Sequence, residues 1–257
     1  MNITPGHILQ FYHLKKRIKS KKSLNFCELG SGNGQITKIL LDNGYNGICF
    51  DLNKDACKNN ADLNHKYVKN GYLKIKNQDF LKFDFKKKFD IVISCMVLEH
   101  FEEKQVDALL NKFKTILAKD GKIITFVPAS KKDWGIEDEL FGHVMRYDFD
   151  SITSLSSRAR LKITHSCGLT YPLSNLLLPI SSYIVKKNES SKLNKSKKEQ
   201  TIISGNRNNR WKTNFPMIFK LLINEIILSP FILLQYLFKN HKRCLVIYFE
   251  MKFDKKL

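Results

Sequence analysis

Apolar and polar positions follow two different periods along the first half of the chain. SLNFCELG (23–30) is a short apolar run that ends in glycine, while QITKILLDNG (35–44) places apolar residues at 36, 39, 40 and 41 before an Asn-Gly stop. The first pattern predicts a strand and the second a helix. YNGICFDLN (45–53) reads as a second strand ending at Asp51, residues 54–70 as a polar helix, and GYLKIKNQDF (71–80) as a third strand. FDIVISCMVLEHF (89–101) is nearly all apolar at first, as a strand buried on both faces should be. EKQVDALLNKFKTILAKDG (103–121) predicts an amphipathic helix stopped by Gly121, and KIITFVP (122–128) a fifth strand. Strand and helix alternate, which predicts an α/β fold around a mostly parallel, doubly wound sheet. Ligands of such sheets bind at the carboxyl ends of the strands, near the switch in strand order. The glycine loop after Leu29, Asp51, Asp79 and residues 94–96 stand there.

The second half changes character. Residues 129–150 read as a loop rich in aromatic, acidic and His residues, and RLKITHSCGLTY (160–171) as a sixth strand. Residues 182–214 have the Lys/Asn/Ser-rich composition of a mobile segment. RCLVIYFEMKF (243–253) reads as a last strand. The chain thus divides into an N-terminal helical segment (1–22), a core (23–171 with 241–254) and an insertion (172–240) that forms a cap or a membrane-contact region.

Within the insertion, FPMIFKLLINEIILSPFILLQYLF (215–238) has 24 residues, the length of a membrane span. Lys220, Asn224 and Glu225 lie inside it, Pro230 interrupts it, and its uncharged run from Ile226 to Phe238 has only 13 residues. It is expected to form one or two helices that cover the ligand-binding face or lie in a membrane interface. The flanking Lys and Arg residues favour an anionic leaflet. A buried cap or a dimer contact is the alternative, and the oligomeric state stays open.

Composition adds little. The formal charge is +20, but only seven of the 44 basic residues are Arg (17, 146, 158, 160, 207, 210 and 243). Phosphate and base recognition favours the Arg fork, so the charge argues only weakly for a nucleic-acid partner. The six cysteines (27, 49, 57, 95, 167 and 244) form no CxxC pair, and several sit in strand-like runs. They read as reduced core thiols, neither disulfides nor metal ligands. Residues 1–23 show no signal-peptide pattern, so the expectation is a cytoplasmic protein, with the inner face of the membrane as a peripheral site.

The candidate chemistry starts at CELGSGNG (27–34). No Gly-Lys-Ser/Thr follows, which excludes a P-loop. GxGxxG fits poorly, because Gln35 stands where its third glycine belongs. Glu28, two residues before the loop, would repel a pyrophosphate and favour a cationic ligand. S-adenosylmethionine carries a sulfonium and an ammonium and no phosphate.

ELGSGNG resembles the first motif of the class I S-adenosylmethionine-dependent methyltransferases, and the resemblance extends over residues 24–128. It implies a Rossmann-like sheet of seven strands with the last antiparallel. It implies cofactor contacts from Glu28, Leu29, Gly30, Ser31, Gly32 and Gly34, with Asp51 and Leu52 at the ribose. Asp79 and Phe80 would stand at the adenine, and Ser94, Cys95 and Met96 would line the site. Two carboxylate oxygens suit two ribose hydroxyls. Asp51 as a turn residue and Asp79 as a solvated loop acid are the structural alternatives.

The acceptor is less legible. The fourth strand ends in Ser94-Cys95-Met96-Val97, without the Asn/Asp-Pro-Pro-Tyr-type motif of base-amine methylation or a Pro-Cys nucleophile, so Cys95 reads as a core thiol. DELFGHVMRY (138–147) resembles the Asp-Glu…Gly-His…Arg-Tyr segment of a subgroup associated with glycan, lipid-linked and small-metabolite substrates, with Met145 in place of its first Arg. This implies an acceptor-facing loop bearing His143, Arg146 and Tyr147. His143 is either a general base toward a sugar hydroxyl or a brace of the loop together with Arg146. His100 reads as a cap or a cofactor-lining residue. O-methylation of a glycan precursor or related small metabolite is the leading expectation. N-methylation of a small amine or amidine, using Asp138 or Glu139, remains beside it, as do RNA methylation and a non-catalytic binding protein.

Overall fold

The structure is a computed structural model; residues 3–18, 23–204 and 223–254 are described. The first helix, α1 (Pro5–Arg17), opens with a capping box in which Thr4 and His7 satisfy each other's backbone N–H groups, with Pro5 at the first turn. Then follow β1 (Leu24–Leu29), α2 (Gln35–Asp42), β2 (Tyr45–Phe50), α3 (Lys54–Leu63), α4 (His65–Lys69) and β3 (Leu73–Lys76). The succession continues with β4 (Phe89–Cys95), α5 (Glu103–Ile116), β5 (Leu117–Pro128), α6 (Ile136–Phe141), α7 (Phe149–Arg158) and β6 (Leu161–Leu169). The chain then forms α8 (Leu173–Glu189), α9 (Lys197–Ser204), α10 (Ser229–Leu237) and β7 (Val246–Phe253).

The strands form one seven-stranded sheet in the order β3-β2-β1-β4-β5-β7-β6. Neighbours from β3 to β5 pair parallel, and β7 runs antiparallel between β5 and β6. This is the Rossmann-like sheet of seven strands that the resemblance implies. Order reverses between β1 and β4, so their carboxyl ends open a crevice there. Apolar side chains fill both faces of the sheet. Phe50, Phe113 and Phe249 belong to one core, and Phe26, Phe126 and Tyr248 to the other. Glu250 ties α1 to β7, accepting from Arg17 Nε at 2.8 Å and from the Tyr248 hydroxyl at 2.6 Å.

Several local readings are corrected. The helix after strand four ends at Ile116, and Gly121 lies inside β5. A side chain at 121 would meet the Phe89 carbonyl at 2.9 Å and the Ala118 carbonyl of its own strand at 3.0 Å, where the β4–β5 register shifts, so this glycine serves an irregularity inside the strand and not a helix stop. β3 is shorter than expected, because Asp79 caps a 3-10 turn at Phe80–Lys82. Residues 182–204 are largely helical despite their polar composition, since Val185, Glu189 and Gln200 are buried. Residues 205–214, the rest of that polar segment, lie outside the described residues, as do 215–222 of the apolar stretch. The described part of the apolar stretch, 223–238, does not cover the ligand face. Leu228 and Ile232 pack instead against Leu9 and Leu173. No helix among the described residues is long and apolar enough to cross a membrane.

Candidate active site

The turn from β1 into α2 places Gly30, Gly32 and Gly34 at positive φ, where side chains are strained. The amides of Gly30 and Ser31 donate to the Phe50 carbonyl at 2.9 and 3.2 Å, which ties the loop to the end of β2. A Cβ on Gly30 would stand 2.4 Å from Val97 Cγ2, so the loop lies close against the end of β4. Gly34 opens α2. A side chain there would strike Asn60 Oδ1 at 2.3 Å, and Gly34 is not part of the cavity wall. Its smallness serves helix packing rather than ligand contact.

A cavity of about 940 Å³ opens over this loop. Glu28, Leu29, Gly30, Ser31, Gly32, Asp51, Leu52, Asp79, Phe80, Cys95 and Met96 line it. Ser94 does not: it is fully buried, with its hydroxyl 3.4 Å from Thr125 Oγ1 inside the sheet. Asp51 accepts the amides of Gly32 and Asn53, one on each oxygen and both at 2.8 Å. Burial raises its pKa against those two hydrogen bonds. Asp79 spends Oδ1 on the Leu81 amide at 2.9 Å and still faces the cavity.

Glu28 is buried, and its Oε2 accepts from Thr37 at 2.6 Å and Cys49 at 3.4 Å. Burial pushes its pKa up to about 8, against the pull of those two donors. A cationic group arriving in the cavity would favour the ionised form. The Ser31 hydroxyl is buried in the same wall without a hydrogen-bond partner. This donor set fits S-adenosylmethionine: carboxylates for an ammonium and for ribose hydroxyls, a free hydroxyl, and loop amides that approach closely.

The far side of the cavity is built from α6, α8 and the segment after β4. Asp138 organises it. Arg146 donates to both its oxygens, Nε to Oδ1 at 2.8 Å and Nη2 to Oδ2 at 2.9 Å. His143 Nδ1 is 2.9 Å from Oδ1, and the Gly135 amide donates to Oδ2 at 2.8 Å. Burial opposes ionisation of Asp138, but the hydrogen bonds from His143 and Arg146 prevail and hold its pKa at about 2. Arg146 spends its remaining prong, Nη1, on the Ala129 carbonyl at 2.9 Å. It braces the loop, while His143 also faces the cavity. Tyr147 does not reach it: it is buried, donating to the Leu98 carbonyl at 3.3 Å. Glu139 is exposed and off the wall.

Residues 27–125 match the family described as "Methyltransferase domain". Over that stretch the chain is similar to a methyltransferase domain. An uncharacterized methyltransferase of Anoxybacillus flavithermus is 28% identical over 98 residues, which are 38% of this chain and 43% of that protein. The chain thus spans less than half the length of the curated relative it matches. Among solved structures, the methyltransferase fold is shared with the magnesium protoporphyrin IX methyltransferase of Synechocystis PCC 6803, solved with bound S-adenosylhomocysteine. The TM-score is 0.55 at 15% identity, covering 66% of this chain and 79% of that one. The N-methyltransferase NodS of Bradyrhizobium japonicum WM9, also with S-adenosylhomocysteine, gives 0.53 at 16% identity, covering 63% and 79%.

Around the methyltransferase domain, several cavity residues escape sequence reasoning. α1 contributes Thr4, Gly6, His7 and Phe11, and α8 contributes Leu177, Leu178, Ile180 and Ile184. Glu99 is fully buried in a 3-10 turn after β4, and neither carboxylate oxygen has a hydrogen-bond partner. Burial pushes its pKa up to about 7, against the attraction of nearby His143. A lone acid in the apolar run MVLEHF was the available signal. His100, beside it, is held down at about 3 by burial and then by His143.

Proposed function

We propose that the chain transfers a methyl group from S-adenosylmethionine to a hydroxyl of a glycan precursor or related small metabolite, with a lipid-linked acceptor fitting best. One observation carries this reading: a single cavity joins the glycine loop, Glu28 and Asp51 to a wall formed by His143 and the apolar side of α8. S-adenosylmethionine, when bound, supplies an electrophilic methyl group. Glu28 takes the ligand's ammonium, Asp51 its ribose hydroxyls, and Asp79 and Phe80 its adenine. The chain's remaining task is to align the acceptor and remove its proton. His143 is the group placed for that: Asp138 fixes its Nδ1, so Nε2 is presented on the other side of the ring.

The N-methylation reading loses its acids, because Asp138 is engaged by Arg146 and His143 and Glu139 lies off the cavity. An apolar acceptor portion has a path along α8, whose Leu177, Leu178 and Ile184 face the cavity while Leu176, Ile180 and Tyr183 are also exposed to solvent. Exposed Ile226, Leu233 and Leu237 support peripheral contact of 215–238 with an anionic lipid surface. The test is transfer of labelled methyl from S-adenosylmethionine to a panel of nucleotide-linked sugars, lipid-linked sugars, small amines and RNA. Labelling of a lipid-linked or free hydroxyl acceptor is expected. Labelling of amines or RNA alone would overturn the reading.

A further inference from the structure

Three side chains with metal-ligating atoms meet at the acceptor end of the cavity. Glu99, His100 and His143 each offer one ligand atom, and these atoms all lie within 4.8 Å of one another. We propose that they form a binding site for a divalent first-row transition ion of the zinc type, which nothing in the methyltransferase fold requires.

The starting point is Glu99. A buried carboxylate ordinarily finds hydrogen-bond donors or an ion, because desolvation otherwise disfavours its charge. Glu99 is fully buried and both of its oxygens lack a partner. The nearest basic atom is His143 Nε2, 3.8 Å from Oε1 and beyond hydrogen-bond distance. A shared ion between them would satisfy both.

The histidines are held as ligands are held. Asp138 takes His143 Nδ1 at 2.9 Å, which leaves Nε2 toward Glu99. A carboxylate behind a ligating imidazole fixes its tautomer and strengthens it as a donor. Asp138 is itself fixed by Arg146 and the Gly135 amide. His100 stands with its ring 4.9 Å from that of His143, at 76°, and Thr201 of α9 lies 3.2 Å from its Nδ1. The insertion thus closes one side of the cluster.

The donor set selects the ion. Two imidazoles and one carboxylate suit zinc, iron(II), cobalt(II) or manganese(II), whereas calcium and magnesium prefer oxygen ligands alone. Ligands about 2.0–2.2 Å from zinc stand about 3.4 Å apart, so no two of the three donors need to close by more than about 1.4 Å. Three protein ligands leave a position open, as at catalytic zinc sites. All three residues line the cavity, so that position faces the space assigned to the acceptor. With the ion bound, His143 Nε2 is a ligand and no longer the base; the ion takes over that role, because a hydroxyl bound at the open position would lose its proton to water more readily. The metal site itself stands apart from the choice of acceptor.

The test uses the full chain, stripped with a chelator and reloaded with zinc or cobalt(II). Close to one ion per chain is expected after gel filtration, with cobalt absorption bands of low-symmetry coordination. Glu99→Gln and His143→Asn should each lose stoichiometric metal while keeping the wild-type circular dichroism spectrum. Asp138→Asn should weaken zinc about 10- to 100-fold. S-adenosylhomocysteine titration is run alongside, so that loss of the cofactor site and loss of the metal site are read separately. Absence of stoichiometric zinc in folded wild type would overturn the proposal, and so would its full retention in the Glu99→Gln/His143→Asn double variant.

Discussion

Arg146 closes on Asp138 with two parallel hydrogen bonds, 2.8 and 2.9 Å long, and both side chains are largely withdrawn from solvent. A cation in a substrate-facing loop is readily taken for an anion binder. Here the guanidinium is fully committed to the loop's own carboxylate and carbonyls, and its role is to position His143 through Asp138.

Removing one partner of such a pair leaves a buried charge behind, at a cost of about 3–5 kcal/mol. Arg146→Ala should lower the unfolding free energy by an amount of this order, seen as a fall in the urea midpoint without a change in the denaturant slope. Arg146→Lys should recover only part, because an ammonium cannot reproduce the fork. Full stability of Arg146→Ala would show that the pair contributes nothing.

His143 is expected to act on the acceptor side alone. His143→Ala should lower kcat by about 10²-fold or more, the usual scale of a lost general base. The affinity for S-adenosylhomocysteine should stay at the wild-type value, since Glu28 and Asp51 come from the ends of β1 and β2 and His143 from the segment after α6. Undiminished turnover would remove His143 from the mechanism.

Glu28 makes cofactor affinity and stability oppose each other. Its folded pKa of about 8 lies above the ordinary 4.5, so between those values the ligand-free folded protein holds a proton that the unfolded chain releases. Stability contributed by this group is therefore complete at acid pH and is lost as pH rises toward 8. Glu99 acts in the same direction up to about 7. Asp138 and Glu250, both held at about 2, act oppositely, and their contribution disappears only as pH falls toward that value. Ligand-free Glu28→Gln should accordingly show a shallower decline in stability between about pH 5 and 8 in thermal melts. In the wild type, S-adenosylhomocysteine affinity should rise over the same interval as Glu28 ionises. A Gln variant with wild-type affinity and the same pH profile would contradict the assignment.

The first half of the chain was legible because its strands are buried on both faces and its glycine loop and acids fall at strand ends. Those positions depend on local sequence and on one rule of sheet topology. Gly121 misled because glycine serves both as a helix stop and at an irregularity within a strand, and only the crowding by the Phe89 and Ala118 carbonyls, which come together in the folded sheet, distinguishes them. α9 and the C-terminal half of α8 were hidden by polar composition, although their buried positions, Val185, Glu189 and Gln200, depend on partners distant in sequence. The same limit applies to the acceptor wall. Tyr147 and Ser94 sit in the expected segments, but their direction is set by packing against Leu98 and Thr125.

The central claim is the cofactor site, and it is tested most directly by calorimetric titration of the full chain with S-adenosylhomocysteine, with Asp51→Ala measured in parallel. Asp51 anchors the Gly32 amide and faces the cavity, so its loss removes both a ligand contact and a support of the loop. Micromolar binding by the wild type, abolished in a folded Asp51→Ala variant, is the expected result. A folded wild type that binds no S-adenosylhomocysteine, or an Asp51→Ala variant that binds it equally well, would contradict the account.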